Sequence, residues 1–401
     1  MFMTIIKDNW RFSNDEVKLI SKVIKSGDTS SMSGSMNKIF ENSFARTVGA
    51  KYAIAFNSGT STLHAALHSL DVGYGDEVIV PALTVIADLN VIIAQNAIPV
   101  FADVDPYTFN IDPKDIEKKI TKKTKAIIVV PLYGLPCDYD QIKKISKKYR
   151  VKVINDAAQA PLAEYKGLPI ASLFDITSFS FDATKHMTTG DGGMITTNSK
   201  NTASKIRKFG CLGYKALTAK DGRIRNIKDI FQSPNYSRHD DVGLNYRMSE
   251  FQGAIGVAQT RKLKKFVSLR RKIAYQFSKA VNDCTFLLPQ ATSKEKKHSY
   301  WTYTVRIINN NITWKNFRKK FIEFGGTGIF ASWKLLYQED VFKNGNWKKQ
   351  CPKLYKNYNH HTCKNAEKIQ KQLLQFPLNF KDIKSAQKSI LALKKTIKYY
   401  E

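Results

Sequence analysis

Along the first half of the 401-residue chain, short unbroken apolar runs rich in β-branched residues alternate with stretches in which apolar side chains recur every three or four positions. The runs at residues 52–56, 77–80, 98–104, 126–130, 151–154, 176–181 and 194–197 read as seven strands. Helical spacing over 61–70, 85–95 and 139–149 places helices between them. A strand that is apolar at successive positions is covered on both faces. The pattern therefore predicts an α/β fold, with a seven-stranded, mainly parallel sheet and helices on both faces. Sheets of this kind gather ligands at the carboxyl ends of their strands, and candidate chemistry is sought there.

The second half has a different texture. Residues 220–241 are basic and polar, contain Asp221-Gly222 and Ser233-Pro234-Asn235, and read as a long loop. From 249 to 281, Phe251, Ile255, Ala258, Leu263, Phe266, Leu269, Ile273 and Phe277 follow helical spacing, which predicts one long or broken helix. Beyond it, strands are expected at 302–307 and 328–331, and helices at 314–324, 365–374 and 383–397. We expect a large domain with an N-terminal arm over 1–260 and a smaller α+β domain over 261–401.

Composition removes several classes of function. A hydrophobic content of 43% suits a packed globular chain. Five cysteines, an odd number with no CxxC or Cys/His cluster, argue against a disulfide framework and a structural zinc site and fit a reducing cytoplasm, and no metal-binding residues are expected. The first ten residues do not resemble a secretion leader, and no apolar stretch is long enough to span a membrane. The 64 Lys+Arg against 34 Asp+Glu give a formal charge of +30, but the lysines are scattered in short groups. That distribution points to solvated faces and away from a nucleic-acid or membrane footprint.

Three segments at strand ends could carry chemistry. Asn57-Ser58-Gly59-Thr60-Ser61 follows a strand and opens a helix, where unpaired amides and the helix dipole favour an anion; an ordinary helix cap is the competing reading. Asp156, ahead of Ala157, Ala158 and Gln159, ends the strand at 151–154; it can pair with a pyridine nitrogen or simply cap a turn. Ser180, Phe181, Asp182, Ala183, Thr184, Lys185 and His186 precede Gly190-Asp191-Gly192-Gly193. A lysine lodged there among aromatics can be desolvated enough to attack an aldehyde, although most lysines are solvated surface groups.

Taken together, and with Gly243-Leu244-Asn245-Tyr246-Arg247-Met248-Ser249-Glu250 and a weaker Phe376-Pro377-Leu378, these motifs resemble the DegT/DnrJ sugar aminotransferases. These are fold-type I enzymes that use pyridoxal 5′-phosphate (PLP), and the likeness runs from about Gly34 to near the C-terminus. The resemblance implies that Lys185 holds the cofactor as a Schiff base and shuttles a proton. It gives Asp156 to the pyridine nitrogen and Gln159 to the ring hydroxyl. It gives Gly59, Thr60, Ser61 and Ser180 to the phosphate, and has Asn245 reach the cofactor phosphate of a neighbouring subunit, so that a homodimer shares its active sites. Pro81-Ala82-Leu83-Thr84 is followed by Val85, where the family commonly places an aromatic residue against the ring. A β-branched side chain can cover that face by van der Waals contact.

The implied reaction moves an amino group from L-glutamate, leaving 2-oxoglutarate, to a keto-sugar that is nucleotide-linked or a keto-sugar acid. Its setting would be glycan or surface-polysaccharide biosynthesis. A PLP-dependent sugar dehydratase on the same scaffold is the first alternative, and a nucleic-acid-binding or regulatory protein that kept the fold is the second. A related dehydrating branch carries His where Lys185 stands, which favours transamination here. Arg223, Arg225, Arg238 and His239 are candidate contacts for an anionic acceptor. Tyr300, Trp301, Trp333 and Lys334 are candidates to frame it, with core packing the competing role for the aromatics.

Overall fold

The computed structural model describes residues 10–224, 233–349, 352–355 and 362–401. Arg225, Cys351 and the first nine positions of the chain lie outside the described residues.

All seven expected runs form strands of one sheet: β1 (Tyr52–Phe56), β2 (Glu77–Pro81), β3 (Ile98–Ala102), β4 (Thr124–Val129), β5 (Lys152–Asp156), β6 (Ile176–Ser180) and β7 (Gly193–Thr197). They lie in the order β1-β7-β6-β5-β4-β2-β3. β7 runs antiparallel to both of its neighbours, whereas β3, β2, β4, β5 and β6 pair in parallel. Successive side chains of a strand point to opposite faces, and each face here has its own core. Val78, Val80, Ala126 and Ile128 join one cluster, while Ile79, Ile127 and Val129 join the other.

Helices α1 (Asn14–Ser26), α2 (Met36–Val48), α3 (Gly59–Ser69), α4 (Ile86–Ala94), α5 (Pro113–Lys119), α6 (Tyr139–Tyr149) and α7 (Lys200–Phe209) surround this sheet. Leu63, Leu67, Leu89, Ile92 and Ile206 put α3, α4 and α7 on the first face. Phe40, Phe44, Ile116 and Ile142 put α2, α5 and α6 on the second. A 32-residue helix, α8 (Glu250–Val281), starts from a Ser249–Gln252 capping box. Its Val257, Leu263 and Val267 pack on the second face of the sheet, while Ile273, Phe277 and Val281 enter a third core. Residue 260, where the division between domains is expected, falls inside this helix.

Glu250 explains part of the motif that ends in it. Its carboxylate accepts from the backbone N–H groups of Met36 and Asn37 and so caps α2, whose own N-cap Ser35 makes no side-chain bond.

The third core lies under a four-stranded antiparallel sheet of β8 (Leu287–Pro289), β9 (Thr302–Ile307), β10 (Phe330–Ala331) and β11 (Leu373–Pro377), in the order β8-β9-β11-β10. Helices α9 (Trp314–Glu323) and α11 (Ile383–Tyr400) cover it, and α10 (Lys364–Gln370) precedes β11. One expectation is corrected here. The helix expected over 365–374 stops at Gln370, because Leu374 is fully buried and pairs with Val305 on one side and Ala331 on the other. The segment before it returns to the large sheet, where Leu336, Tyr337, Phe342 and Ile369 join the first core. Among the described residues no helix is long and apolar enough to cross a membrane, and no group of three or more His, Cys, Asp or Glu could hold a metal ion.

Candidate active site

Asp156 is the last residue of β5, opposite Ser178 of β6, and is 2% exposed. The turn after it is tight because Ala157 donates to the Ser178 carbonyl at 2.8 Å and Ala158 N–H donates to Asp156 Oδ1 at 3.1 Å. Burial raises the Asp156 carboxyl above its ordinary range, opposed by the Ala158 amide, Lys185 and Asp88. Gln159 is also buried, and its Oε1 accepts from the Tyr133 backbone N–H at 2.6 Å.

Lys185 sits on the turn that follows β6. Asp182 shapes that turn by accepting from Thr184 N at 2.9 Å and from the Thr184 hydroxyl at 2.6 Å, while its carbonyl accepts from Lys185 N at 3.0 Å. From the far end of the chain, the Arg11 guanidinium donates to the carbonyls of Ala183 and Lys185. Lys185 Nζ lies 4.6 Å from the ring centre of Trp301, whose indole N–H donates to the Thr184 carbonyl at 3.0 Å. Burial lowers the Lys185 ammonium below its ordinary value, and Asp156, Asp182 and Asp88 pull in the opposite direction. The net direction is an amine that gives up its proton more readily than a surface lysine.

At the neighbouring strand end, Gly59 is the first residue of α3 and lies against Ser180. A Cβ at Gly59 would come 2.8 Å from the Ser180 Cβ. Thr60 is exposed on the first helical turn. The Ser61 hydroxyl is engaged in the cap, donating to Asn57 Oδ1 at 2.7 Å, and Ser61 N–H donates to Ser58 Oγ at 3.1 Å. Val85 is the N-cap of α4 and is half-buried.

The sheet's carboxyl edge thus brings together Gly59, Thr60, Ser61, Val85, Asp156, Gln159, Ser180 and Lys185. It does not gather the rest of the expected set. Asn245 is exposed, next to Tyr246, whose carbonyl accepts from Asn57 N at 2.9 Å, so it lies at the rim by β1. Arg238 and His239 belong to a separate loop. The Arg238 carbonyl accepts from Lys215 N at 2.9 Å, and His239 Nδ1 meets the Leu212 carbonyl at 2.6 Å. Among the described residues neither side chain is hydrogen-bonded to Lys185, Asp156 or Gln159. Arg223 is paired with Asp221 at 2.9 Å.

A cavity of about 770 Å³ opens beside the Lys185 turn, lined by Thr184, Trp301, Trp314, Arg318 and Trp333 among others. Trp301 and Trp333 stack at 5.7 Å, and Trp333 stacks on Tyr133 at 6.2 Å. Tyr300 instead stacks on His298 at 3.7 Å, and Lys334 pairs with Asp340 at 2.9 Å.

Two residues of this site escape a reading of the sequence. Asp88, in α4, is fully buried and accepts from the Thr84 hydroxyl at 2.7 Å. Its signal is a lone carboxylate within an apolar helix. Arg11 has no local signal, since its partners are more than 170 positions away.

A buried lysine on the turn after β6 and a buried aspartate at the end of β5 thus stand at the carboxyl edge of a mainly parallel sheet, next to the capped N-terminus of α3. The chain belongs to the DegT/DnrJ/EryC1/StrS aminotransferase family, whose model matches residues 11–392. It is 39% identical over 275 residues to GDP-perosamine synthase of Escherichia coli O157:H7, covering 69% of this chain and 70% of that one. The X-ray structure of the aminotransferase from Psychrobacter cryohalolentis superimposes with a TM-score of 0.84 at 29% identity, covering 97% of each chain. A Streptococcus pneumoniae protein solved in its PLP-form shares the fold, with a TM-score of 0.81 at 24% identity and 97% of each chain covered.

Proposed function

We propose that this aminotransferase uses PLP, held by Lys185, to place an amino group on the keto carbon of a nucleotide-linked sugar, with L-glutamate as donor. The observation that carries the reading is the placement of the buried Lys185, on the turn after β6, beside the buried Asp156 at the end of the adjacent parallel strand β5, with burial lowering the proton affinity of the amine. The residues present suit the cofactor. A side chain at Gly59 would overlap Ser180, so glycine lets the first turn of α3 lie directly against Ser180, where a phosphate would meet the positive end of the helix and the Ser180 hydroxyl together. Gln159 has its oxygen engaged and its amide N–H groups remain to donate to a ring hydroxyl.

Bound there, PLP supplies an electron-withdrawing ring that accepts electron density from a carbon losing its proton. The chain's own residues do the rest. Asp156 holds a proton on the ring nitrogen. Lys185 takes a proton at Nζ and returns it, and its lowered proton affinity eases the return. Trp301 and Trp333 offer flat apolar faces to a sugar ring in the adjoining cavity, and Arg318 at its wall suits a diphosphate. Asn245, exposed at the rim, is available to a second copy, which supports a homodimer with shared sites.

The protein loaded with PLP should show the absorption band of lysine-bound cofactor, lost in Lys185→Ala. Incubated with L-glutamate and a panel of GDP- and UDP-linked keto-sugars, it should form 2-oxoglutarate and aminated sugar in equal amounts. Consumption of the sugar without 2-oxoglutarate would favour dehydration and overturn the proposal.

A further inference from the structure

We propose that Asp88 is a positioning residue: its side chain carries a proton at Oδ1 and shares it with Asp156, so that the buried pair bears one negative charge and Asp156 presents it. The last step, presentation to the cofactor ring nitrogen, rests on the function proposed above; the shared proton does not.

Asp88 lies in the first turn of α4 and is fully buried. One of its oxygens is satisfied, since the Thr84 hydroxyl donates to Oδ2 at 2.7 Å. The other, Oδ1, has no hydrogen-bond partner among the described residues. A buried orphan acceptor is costly, and two ionised carboxylates side by side in a dry site are more so. The Asp88 and Asp156 side chains lie within hydrogen-bonding reach of each other. A single proton removes both penalties. On Oδ1 it turns the orphan acceptor into a donor, and Asp156 becomes its acceptor.

The hydrogen bonds around the pair say where the proton rests. Asp156 already accepts from Ala158 N–H at 3.1 Å, whereas Asp88 has Oδ2 engaged by Thr84 and its Oδ1 without another partner among the described residues, and burial raises both carboxyls. The groups facing Asp88 are Thr84, Asp156 and the Lys185 ammonium; the last favours a single remaining charge over none. An N-cap valine leaves Asp88 as the acidic residue of the first turn of α4. Asp156 therefore receives one hydrogen bond from Ala158 and one from Asp88, which fix its plane. A partner that orients a chemically active group in this way commonly matters by ten- to a hundredfold, roughly the range seen for outer-shell residues at metal sites.

The test uses full-length protein with and without bound PLP. Infrared difference spectra at neutral pH should contain the carbonyl stretch of a protonated carboxylic acid in the wild type and lack it in Asp88→Asn. Asparagine keeps a donor toward Asp156 and an acceptor for Thr84, so its turnover with L-glutamate should stay within about threefold, and its cofactor band should keep its pH profile. Asp88→Leu keeps bulk but no donor, and turnover should fall roughly ten- to a hundredfold with KM for the donor unchanged. No carboxylic-acid band in the wild type, or a band that survives in Asp88→Asn, overturns the shared proton. Wild-type turnover in Asp88→Leu overturns the positioning role. If Asp88→Leu does not fold, the infrared comparison still decides. A cofactor band that persists in Lys185→Ala would sink the functional reading while leaving the infrared result standing.

Discussion

Arg11 and Lys185, 174 positions apart, meet through a hydrogen bond of 2.6 Å from the guanidinium to the lysine's carbonyl. Because Arg11 also reaches the Ala183 carbonyl, one buried side chain near the N-terminus fixes the turn on which the amine is mounted. Gln259 of α8 completes the contact by donating to the Arg11 carbonyl at 2.7 Å. Arg11→Ala should cost about 2 kcal/mol of stability, the scale of losing hydrogen bonds from a charged donor. It should also speed cofactor release, since the turn is no longer clamped. Thermal melts and the decay of the cofactor band after dilution check both. A lower melting temperature with unaltered release would confine Arg11 to a structural role.

Asp156→Asn separates holding the cofactor from using it. The amide fills the same space and can still accept from Ala158, so cofactor affinity should change little. It cannot keep the ring nitrogen protonated, and turnover should drop at least roughly a hundredfold, as when a preorganised charge is removed from an active site. Near-normal turnover would show that another group supplies the charge.

Gly59→Ala should weaken phosphate binding specifically. The new Cβ would sit 2.8 Å from the Ser180 Cβ, too close for either to stay in place. Overpacking of this kind costs about 1–3 kcal/mol, and the shift would fall on the first turn of α3. The affinity for inorganic phosphate and for PLP should fall together. A loss of PLP affinity with unchanged affinity for inorganic phosphate would place the defect elsewhere.

The carboxyl pair also predicts a pH dependence of stability. Asp88 has its proton affinity raised in the folded chain, above an ordinary value of 3.8. A raised carboxyl takes up a proton on folding, so its contribution is fully present below that value and is lost as pH rises toward the folded-state pKa. The Asp88 contribution in cofactor-free protein should therefore decline as pH rises above 3.8, and Asp88→Asn should remove that component from the pH dependence of stability. Parallel slopes for the two proteins in denaturant titrations at several pH values would contradict this.

Much of the fold is legible in the sequence, for a local reason. The seven strands of the large sheet are apolar at consecutive positions because both faces are covered, and such runs stand out against the surrounding helices. α1 and α2 are harder to see, since α1 carries Asn14, Asp15, Lys18 and Lys22 around a narrow stripe and α2 hides its cap in Glu250, far along the chain. β11 is read as the end of a helix because it follows α10 closely and the residues it pairs with, 302–306 and 330–331, lie far back along the chain. Lys185, Asp156, Gln159 and the Gly59–Ser61 segment stand at or near strand ends, and the joint resemblance to the aminotransferase family is what singles them out. Asp88 and Arg11 are not singled out in this way, because what matters about them is burial against residues from other strands and from the opposite end of the chain.

By itself, the order of residues determined the parallel sheet, the strand ends that carry polar groups, and the lysine and aspartate placed on two of them. These are matters of periodicity and local turn chemistry, which act over a few residues. Only the tertiary structure decided that β5 and β6 lie side by side, so that Asp156 and Lys185 share one charge environment, and that Thr84, Asp88 and Arg11 complete it. Proton affinities depend on burial and on charges within a few ångströms, and neither quantity exists until distant segments have packed together.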